Sequence, residues 1–364
     1  MKKITTKFEQ ITETLSDSEQ KALDHFFLEL GTRVIVAYNV KKKIIEDFER
    51  AIIYFLKNGL SVKDALTRLD IANLGGFYSR PASRWFALDY AAKIYPLSLA
   101  HGEMNLFRLS IYLKKPVVAE ILQMALTFTI KRFPQFSTTL KKGFFWHYLD
   151  SNKNHYQAEQ EVTRPFVPIS VSLTGSKTFK VLYFNNRISV EIFHALTDGS
   201  GGLVFLKTLV REYFRLLGIE SSLDETTFDI NVAPDQAEDR NEFAYAPKSQ
   251  SSGFINKKSL QMSGKITRIK PCQIFHFKMD SKRLLAVAKA NNTTVTGYII
   301  TLMLIANKYA TEASNGDLTV QIPLNMRKFF PSKTIRNFSM YFGVRLPLSS
   351  VTTTQSLVKL IGNC

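Results

Sequence analysis

A hairpin of two apolar strands followed directly by an amphipathic helix constrains the fold of this chain more than any other feature. Residues 179–184 and 188–193 are rich in aromatic and β-branched side chains, and Asn185-Asn186-Arg187 between them has the composition of a hairpin turn. Residues 200–217 repeat apolar side chains at helical spacing and end at Gly218. Strands and helices that follow one another in this way predict an α/β fold.

A histidine stands between the second strand and the helix, in the run Phe193-His194-Ala195-Leu196-Thr197-Asp198-Gly199. On a loop that leaves a strand, a histidine projects from the end of the sheet, and an aspartate four residues later turns back to support the loop. Gly199 gives the backbone the freedom that a tight turn needs, and the helix N-terminus lies near the same place. Because imidazole titrates near neutral pH, we predict that His194 is a general base for an attacking hydroxyl or amine.

Helical spacing also marks the beginning of the chain. Phe8, Ile11 and Leu15 start a series of apolar residues at helical intervals, and Ser61 is predicted to cap a short helix that ends near residue 69. We therefore predict a helical accessory region at 1–85. No basic recognition face accompanies a turn in this region, so a small bundle is favoured over a helix-turn-helix DNA reader.

A polar stretch at 226–264 is predicted to be a linker between two lobes, at 86–225 and 265–364. The first lobe is expected to hold a strand at 105–112, a helix at 116–132 and a short strand at 144–148, with Trp85 and Trp146 in the core or lining a tunnel. For the second lobe the same patterns predict strands at 273–279, 318–322 and 340–346 and helices at 281–290 and 296–310.

Composition is that of a globular protein with a sizeable core. Of 364 residues, 45% are hydrophobic and 22% are charged, which suits two or three units. Cys272 and Cys364 are too few for a disulfide framework, so a reducing compartment is expected. The sequence after Met1 has no apolar signal segment, and the apolar run at 298–306 is shorter than a transmembrane segment. We therefore expect a cytoplasmic protein.

The formal net charge of +17 is compatible with several anionic partners. Nucleic acid, acidic lipid headgroups and a polyanionic cofactor such as coenzyme A would each favour a basic protein. The basic residues are spread along the chain, and the densest cluster is Lys41-Lys42-Lys43. A general surface bias with a small anion site is therefore favoured, and no nucleic-acid partner is expected. No metal site is predicted, because metal-ligand spacing is absent around His101, His147, His155 and His276.

Five further runs accompany the histidine motif: MNLFRLS at 104–110, RFPQF at 132–136, TTVT at 293–296, IPLNMRKFF at 322–330 and RNF at 336–338. Together they resemble the His-x-x-x-Asp-Gly (HxxxD) acyltransferases, a superfamily that includes chloramphenicol acetyltransferase, the plant acyltransferases and the condensation domains of peptide synthetases. The resemblance is closest to the alcohol acetyltransferase branch. It covers about residues 90–360.

The resemblance implies a chloramphenicol acetyltransferase-like α/β fold, with two lobes of mixed sheets in two layers. Acyl-coenzyme A, as co-substrate, and the acceptor would meet at His194 in a tunnel between the lobes. Asp198 would be structural and would pair with an arginine, for which Arg327 is the best candidate, and Gly199 completes the catalytic motif. Asn337 would lie on a strand that faces the tunnel. The residues that bind the cofactor are not identified, and Ser339 and Tyr341 are candidates for the oxyanion donor.

Members of the superfamily continue well past the equivalent of residue 364, so the second lobe is expected to be incomplete. The first hypothesis is an acyl-coenzyme A-dependent O- or N-acyltransferase, with acetyl transfer to a small alcohol as the favoured case. The second is a condensation-like or degenerate member that binds carrier-protein or lipid substrates without turnover. The third is a basic nucleic-acid-binding protein that uses its N-terminal helices.

Overall fold

The computed structural model describes residues 2–79, 85–101, 105–167, 169, 171–172, 175–222, 224, 226–245, 258–261 and 274–362. The chain divides into two compact units. Unit 1 comprises Met1–Ala246 and Phe330–Phe338, and unit 2 comprises Pro247–Phe329 and Ser339–Cys364. Unit 1 is therefore discontinuous in sequence, because a short late segment returns to it.

Four helices begin unit 1: α1 (Lys2–Thr12), α2 (Asp17–Arg33), α3 (Tyr38–Lys57) and α4 (Val62–Arg68). The predicted cap of α4 is confirmed, because the Asp64 amide donates a hydrogen bond of 3.1 Å to the Ser61 hydroxyl. Phe48 of α3 is fully buried, and its ring centroid lies 5.9 Å from that of Phe128 further along the chain. The helices thus share one hydrophobic core with the rest of unit 1.

The rest of unit 1 contains two sheets. Its strands and helices are β1 (Trp85–Ala87), β2 (Leu106–Tyr112), α5 (Ala119–Thr129), β3 (Thr138–Lys142), β4 (His147–Ser151), β5 (Ala158–Gln160), β6 (Val171–Ser172), β7 (Gly175–Lys177), β8 (Phe179–Phe184), β9 (Arg187–Phe193) and α6 (Gly199–Leu216). One sheet has the order β2-β9-β8-β5, in which only β5 and β8 run parallel. The other has the antiparallel order β1-β4-β3-β7-β6.

The predicted hairpin and its helix are confirmed. β8 and β9 pair with Phe184 opposite Arg187, and Asn185 in the turn has a φ of 50°, which asparagine tolerates better than most residues. Strand β9 is buried on both faces from Ile188 to Phe193. Phe205 of α6 is fully buried against the sheet, with its ring 5.3 Å from that of Phe179. Helix α6 therefore starts at a fixed place relative to the end of β9.

The turn between β3 and β4 differs from the sequence-based prediction of a strand at 144–148. Phe144 and Phe145 form the turn, and β4 begins at His147. Apolar composition predicted a strand here, but both rings face solvent rather than a core. Trp85 and Trp146, predicted to be buried or to line a tunnel, are likewise mostly exposed.

Residues 226–245, placed in a polar linker by their composition, pack within unit 1. The buried Arg132 guanidinium forms two hydrogen bonds of 2.5 and 2.6 Å with the Glu238 carboxylate and lies 4.1 Å from the centre of the Phe228 ring. The returning segment Phe330–Phe338 is held by the same stretch, since the Ile335 amide donates a 2.8 Å hydrogen bond to the Glu238 carbonyl. Polar side chains make these contacts, which is why polarity alone suggested a linker.

Unit 2 contains α7 (Ser281–Ala290), α8 (Val295–Ala310), β10 (Asp317–Asn325), β11 (Ser339–Pro347) and α9 (Thr354–Gly362). Strands β10 and β11 pair antiparallel over their whole length. Both predicted helices and both later strands are confirmed. The strand predicted at 273–279 is wrong for residues 274–279, which have no regular structure and are exposed, while residue 273 is outside the described part. The alternating apolar residues there are exposed, so an alternating pattern alone does not establish a strand.

Candidate active site

His194 lies immediately after β9, where the structure fixes both its backbone and its ring. The His194 amide donates a 2.9 Å hydrogen bond to the Asn105 carbonyl. The Tyr95 ring stacks on the imidazole, with centroids 4.4 Å apart and planes inclined by 18°. Phe107 covers it at 5.0 Å with an inclination of 59°. The half-buried imidazole is therefore held between aromatic rings at the end of the sheet.

A chain of hydrogen bonds leads from the imidazole to a buried carboxylate. His194 Nδ1 lies 3.0 Å from Asn337 Oδ1, and Asn337 Nδ2 donates a 3.1 Å hydrogen bond to Asp89 Oδ2. Asn337 is 2% exposed and Asp89 is 1% exposed, so water does not compete for these bonds. We call His194, Asn337 and Asp89 the relay triad.

The relay triad determines which nitrogen of His194 carries the proton. A carboxylate accepts hydrogen bonds, so Asn337 must present its NH₂ group to Asp89 and its oxygen to His194. The oxygen is an acceptor, which places the imidazole proton on Nδ1. Within the described part of the chain, no hydrogen bond to His194 Nε2 is found. Nε2 is therefore the basic nitrogen.

Asp89 is held in turn by its neighbours. Its Oδ1 accepts a 2.7 Å hydrogen bond from the Ala92 amide, and its Oδ2 accepts a second hydrogen bond from the Asn337 amide. The Arg336 guanidinium lies 3.5 Å from Oδ2 and donates hydrogen bonds to the Asp239 carboxylate and the Ala87 carbonyl. A buried carboxylate with this many donors has its negative charge compensated.

Asp198 caps helix α6 and supports the segment that carries Asn337. Its Oδ1 accepts hydrogen bonds from the Ser200 and Gly201 amides, each 3.1 Å long. Its Oδ2 accepts a 2.8 Å hydrogen bond from the Phe338 amide. The aspartate of the motif thus joins the start of α6 to the residue next to Asn337, and these three contacts support the backbone.

Gly199 of the motif and Gly201, both in the first turn of α6, have different surroundings. A Cβ on Gly201 would overlap the Ile335 carbonyl oxygen and the Thr197 hydroxyl, which hydrogen-bond to each other. A Cβ on Gly199 would meet nothing within 4 Å. Close packing against the returning segment therefore requires a glycine at position 201, whereas no such contact requires a glycine at position 199.

The predicted site residues are brought together in part. His194, Asp198, Gly199 and Asn337 all belong to unit 1 and lie around the start of α6. Asn337 is wrongly predicted on a strand, because it precedes β11 in an irregular segment. Arg327 lies in unit 2, where its amide donates to Asn325 Oδ1, and its pairing with Asp198 stays a prediction, as do the oxyanion roles of Ser339 and Tyr341.

Sequence reasoning missed Asp89 and Tyr95. Asp89 stands in an unremarkable loop, with no recurring pattern around it, and lies 105 residues before His194. Tyr95 falls in the 3₁₀ segment Ala92–His101, for which the sequence predicted no element. Among the described residues no cluster of His, Cys, Asp and Glu could hold a metal ion. A separate cavity of about 560 Å³ lies beside α3, with Asp47 and His155 but none of the relay triad in its lining.

Comparison with known proteins defines the fold. No protein-family model matches the sequence, and no curated protein sequence is similar to it. The first condensation domain of the CDA synthetase is similar in structure, with a TM-score of 0.54 at 12% identity over 78% of this chain and 73% of that chain. F. sporotrichioides TRI101, solved with coenzyme A and T-2, has a TM-score of 0.52 at 10% identity over 77% and 74% of the two chains.

A third similar structure is polyketide synthase associated protein 5 from Mycobacterium tuberculosis, with a TM-score of 0.51 at 12% identity over 78% of this chain and 72% of that chain. The chain therefore has the mixed α/β fold of condensation domains and chloramphenicol acetyltransferase-like acyltransferases. The resemblance predicted from the sequence is confirmed at the level of the fold. At these identities the likeness concerns the fold, and the chemistry must be argued from the site.

Proposed function

We propose that this protein is an acyltransferase in which His194 removes a proton from the acceptor as that acceptor attacks an acyl thioester. The observation that carries the proposal is the relay triad, which leaves Nε2 as the basic nitrogen at the end of the sheet. We further propose acyl-coenzyme A as the donor and a small alcohol as the preferred acceptor. TRI101, which shares the fold, was solved with coenzyme A, and this supports the choice of donor.

The reaction divides into two proton transfers at one nitrogen. Nε2 accepts the proton of the acceptor hydroxyl or amine while its oxygen or nitrogen forms a bond to the thioester carbonyl carbon. The tetrahedral intermediate then collapses, the carbon–sulfur bond breaks, and the thiolate takes the proton back from Nε2. No bond forms between the acyl group and the protein, so a nucleophilic side chain is not needed.

The remaining members of the triad orient the base and compensate its charge. When Nε2 is protonated, the imidazolium still donates Nδ1–H to Asn337 Oδ1, and the negative charge of Asp89 lies directly behind the amide. Because these groups are buried and already hydrogen-bonded, little reorganisation is needed when the charge forms. Tyr95 restricts rotation of the ring by stacking on it.

The decisive experiment is a thiol-release assay with acetyl-coenzyme A and a panel of alcohols and amines. We expect wild-type protein to release thiol in an acceptor-dependent way and His194→Ala to lower kcat by about 10²- to 10⁴-fold. His25→Ala removes an exposed histidine of α2 and is the matched control, with unchanged rates. Equal rates for wild type and His194→Ala would remove the general base from this proposal.

A parallel assay separates the two thioester donors that suit this chemistry. Acetyl-coenzyme A and acetyl-N-acetylcysteamine, which imitates the end of a carrier-protein arm, present the same thioester with and without the nucleotide. A much lower KM for acetyl-coenzyme A supports a coenzyme A-dependent enzyme. Turnover of both donors with the same KM would contradict the choice of coenzyme A but would leave His194 as the base.

A further inference from the structure

The tip of the β3–β4 hairpin exposes three consecutive aromatic side chains. Phe144, Phe145 and Trp146 are 93%, 80% and 64% exposed. The Gly143 amide donates a 2.7 Å hydrogen bond to the Trp146 carbonyl, and a Cβ on Gly143 would lie 2.8 Å from that oxygen. The turn is therefore tightly closed and directs the rings outward. We call residues 143–146 the aromatic tip.

Soluble globular surfaces seldom present three adjacent large aromatic side chains to water. The Phe144 and Phe145 rings contact each other edge to face at 4.7 Å and find no cover elsewhere in the described part of the chain. Packing among the described residues therefore does not explain why these rings are apolar, whereas a role in binding a partner would.

Basic side chains lie directly behind the aromatic tip. Lys142 ends β3, and Lys141 precedes it and pairs with Asp150 at 2.5 Å. Exposed Lys177 stands further from the tip, opposite Thr139 on the neighbouring strand β7. Lys142 and Lys177 have no acidic partner among the described residues. The surface behind the rings therefore has an excess of positive charge, which suits an anionic partner.

We propose that the aromatic tip inserts into the interfacial layer of an anionic lipid membrane while the lysines behind it contact lipid phosphates. At about 3.3 Å per residue, Lys142 lies roughly 7 Å behind Phe144 along the hairpin, which matches the 5–10 Å depth to which apolar faces enter the interface. Tryptophan favours the same layer, because its ring is apolar and its N–H is polar. The proposal is independent of the acyl-transfer chemistry.

The geometry favours a membrane over single-stranded nucleic acid. Stacking on bases requires flat, accessible ring faces spread along a groove, whereas the Phe144 and Phe145 planes are inclined by 77° at one protruding turn. No helix in the described residues is long and apolar enough to span a bilayer. A single tip with a few lysines gives weak, reversible binding.

The two tryptophans of the chain allow a direct test. In full-length Trp85→Phe protein, Trp146 is the only tryptophan and reports on the tip. With vesicles of phosphatidylcholine and phosphatidylserine at 7:3, we expect its emission to shift to shorter wavelength and acrylamide quenching to fall. Phosphatidylcholine vesicles alone should give a much smaller change, and 0.5 M salt should weaken binding to the mixed vesicles.

Variants of exposed residues identify the surface without disturbing the fold. Phe144→Ser together with Phe145→Ser should weaken co-sedimentation with the mixed vesicles at least about tenfold. Phe277→Ser removes an equally exposed phenylalanine of unit 2 and should leave binding unchanged. Lys142→Glu with Lys177→Glu should weaken binding to the mixed vesicles and not to phosphatidylcholine alone.

Three results would overturn the proposal. Vesicle binding by the double serine variant as tight as that of wild type would mean that another surface docks. A Trp146 shift that needs only an oligothymidine and no lipid would assign the tip to nucleic acid. A shift without vesicles that grows with protein concentration would assign it to self-association.

Discussion

Three aspartates of unit 1 are buried almost completely, and their partners give them different roles. Asp47 is 4% exposed, Asp89 1% and Asp198 2%. Burial raises the pKa of Asp47 against the opposing hydrogen bond and charge of His155, which is its partner at 2.6 Å. Asp198 accepts hydrogen bonds from backbone amides at the start of α6 and from that of Phe338, whereas Asp89 accepts one from the Asn337 side chain that contacts His194. Burial alone therefore does not single out the residue that serves the active site.

We expect Asp89→Asn to invert the hydrogen-bond pattern of the relay triad. The oxygen of the new side chain should stay at the Oδ1 position, because the Ala92 amide donates the shortest hydrogen bond to Asp89 there, at 2.7 Å. Its NH₂ group then takes the Oδ2 position, where Asn337 now donates, so the Asn337 side chain would turn its own NH₂ group toward His194. That change favours the imidazole with its proton on Nε2, which is the wrong tautomer for a base. We predict a fall in kcat of about 10²- to 10⁴-fold with little change in KM.

The ¹⁵N chemical shifts of the His194 ring, assigned with the His194→Ala spectrum, report the tautomer directly. In Asp89→Asn the proton should move from Nδ1 to Nε2. Asp239→Asn is the matched control, because it removes a carboxylate bound to Arg336 without touching Asn337. An unchanged tautomer in Asp89→Asn would contradict the role assigned to the triad.

Among the residues of the candidate active site, the sequence predicts those that are close together in the chain and misses those that are far apart. His194 and Asp198 are recognisable because the strand, the motif and the helix are contiguous, and the cap formed by Asp198 follows from its place before α6. Asn337 is found only through the resemblance, and its contact with His194 spans 143 residues. Asp89 carries no signal, since one aspartate in a loop is a common feature of any chain.

Helix α6 depends on a close approach between its first turn and the returning segment Phe330–Phe338. Gly199 and Gly201 lie two residues apart on this helix. A Cβ at Gly201 would overlap its neighbours, whereas a Cβ at Gly199 would meet nothing within 4 Å. Substituting each glycine by alanine therefore tests whether close packing at Gly201 is needed for stability, with Gly199 as the matched control.

We predict that Gly201→Ala lowers the free energy of unfolding by about 1–3 kcal/mol, because the Ile335 carbonyl must move. Activity should fall as well, since Ile335 and Asn337 share the segment. Gly199→Ala should leave stability unchanged or raise it by up to about 1 kcal/mol. Chemical denaturation of both variants measures the difference, and similar stabilities would contradict the packing at Gly201.

Two arginines and two glutamates form a network on the four-stranded sheet, with members on β2 and β9 and in the residue that follows β5. Glu161 receives hydrogen bonds from Arg108 and Arg187, and Arg108 also binds Glu191 at 2.8 Å. Burial would raise the pKa of Glu161, but the hydrogen bonds and charges of the two arginines outweigh it and hold the pKa below its ordinary 4.5. A lowered pKa means that the folded state favours the ionised form.

The contribution of Glu161 to stability is therefore present above pH 4.5 and is lost as the pH falls through its lowered folded-state pKa. We predict that Glu161→Gln lowers the free energy of unfolding by about 1.5 kcal/mol at pH 7. The difference from wild type should shrink in acid below pH 4.5. Glu159→Gln, in neighbouring β5, is the control, because Glu159 has no ion pair among the described residues.

The elements that the sequence predicts well are those whose partners are near in the chain. β8 and β9 need only a short turn, and α6 follows at once. The turn at Phe144 was mistaken for a strand because apolar residues are usually buried in a core. The sequence pattern alone does not reveal that the Phe144 ring is exposed to solvent. Residues 226–245 fall in the stretch predicted to be a linker, and polarity alone does not reveal that Glu238 pairs with Arg132, 106 residues earlier in unit 1.

At the scale of the whole molecule, the N-terminal helices and the sheets of unit 1 share one core. Phe26 and Phe48 lie 5.7 Å apart, and Phe48 contacts Phe128 of α5. Residues 1–85 were predicted to be an accessory region, and a shared core implies that they stabilise the lobe that carries His194.

Phe48→Ala should therefore destabilise all of unit 1. We predict a loss of about 3–5 kcal/mol in its free energy of unfolding, because the removed ring leaves a cavity in a fully buried position. Leu28→Ala, at an exposed position of α2, should change it by less than about 0.5 kcal/mol. Hydrogen exchange would show faster opening of β8 and β9 in Phe48→Ala, and protection equal to wild type there would mean that the helices unfold separately.

The return of Phe330–Phe338 to unit 1 has a consequence for the order in which the nascent chain acquires structure. Residues 247–329 are translated between the two stretches, which at about 5–20 residues per second takes roughly 4–17 s. During that interval the emerging strand β9 already carries His194, but Asn337 has not been made. A ribosome stalled before codon 337 would hold a chain whose imidazole is free to adopt either tautomer, so the base is set only late in translation.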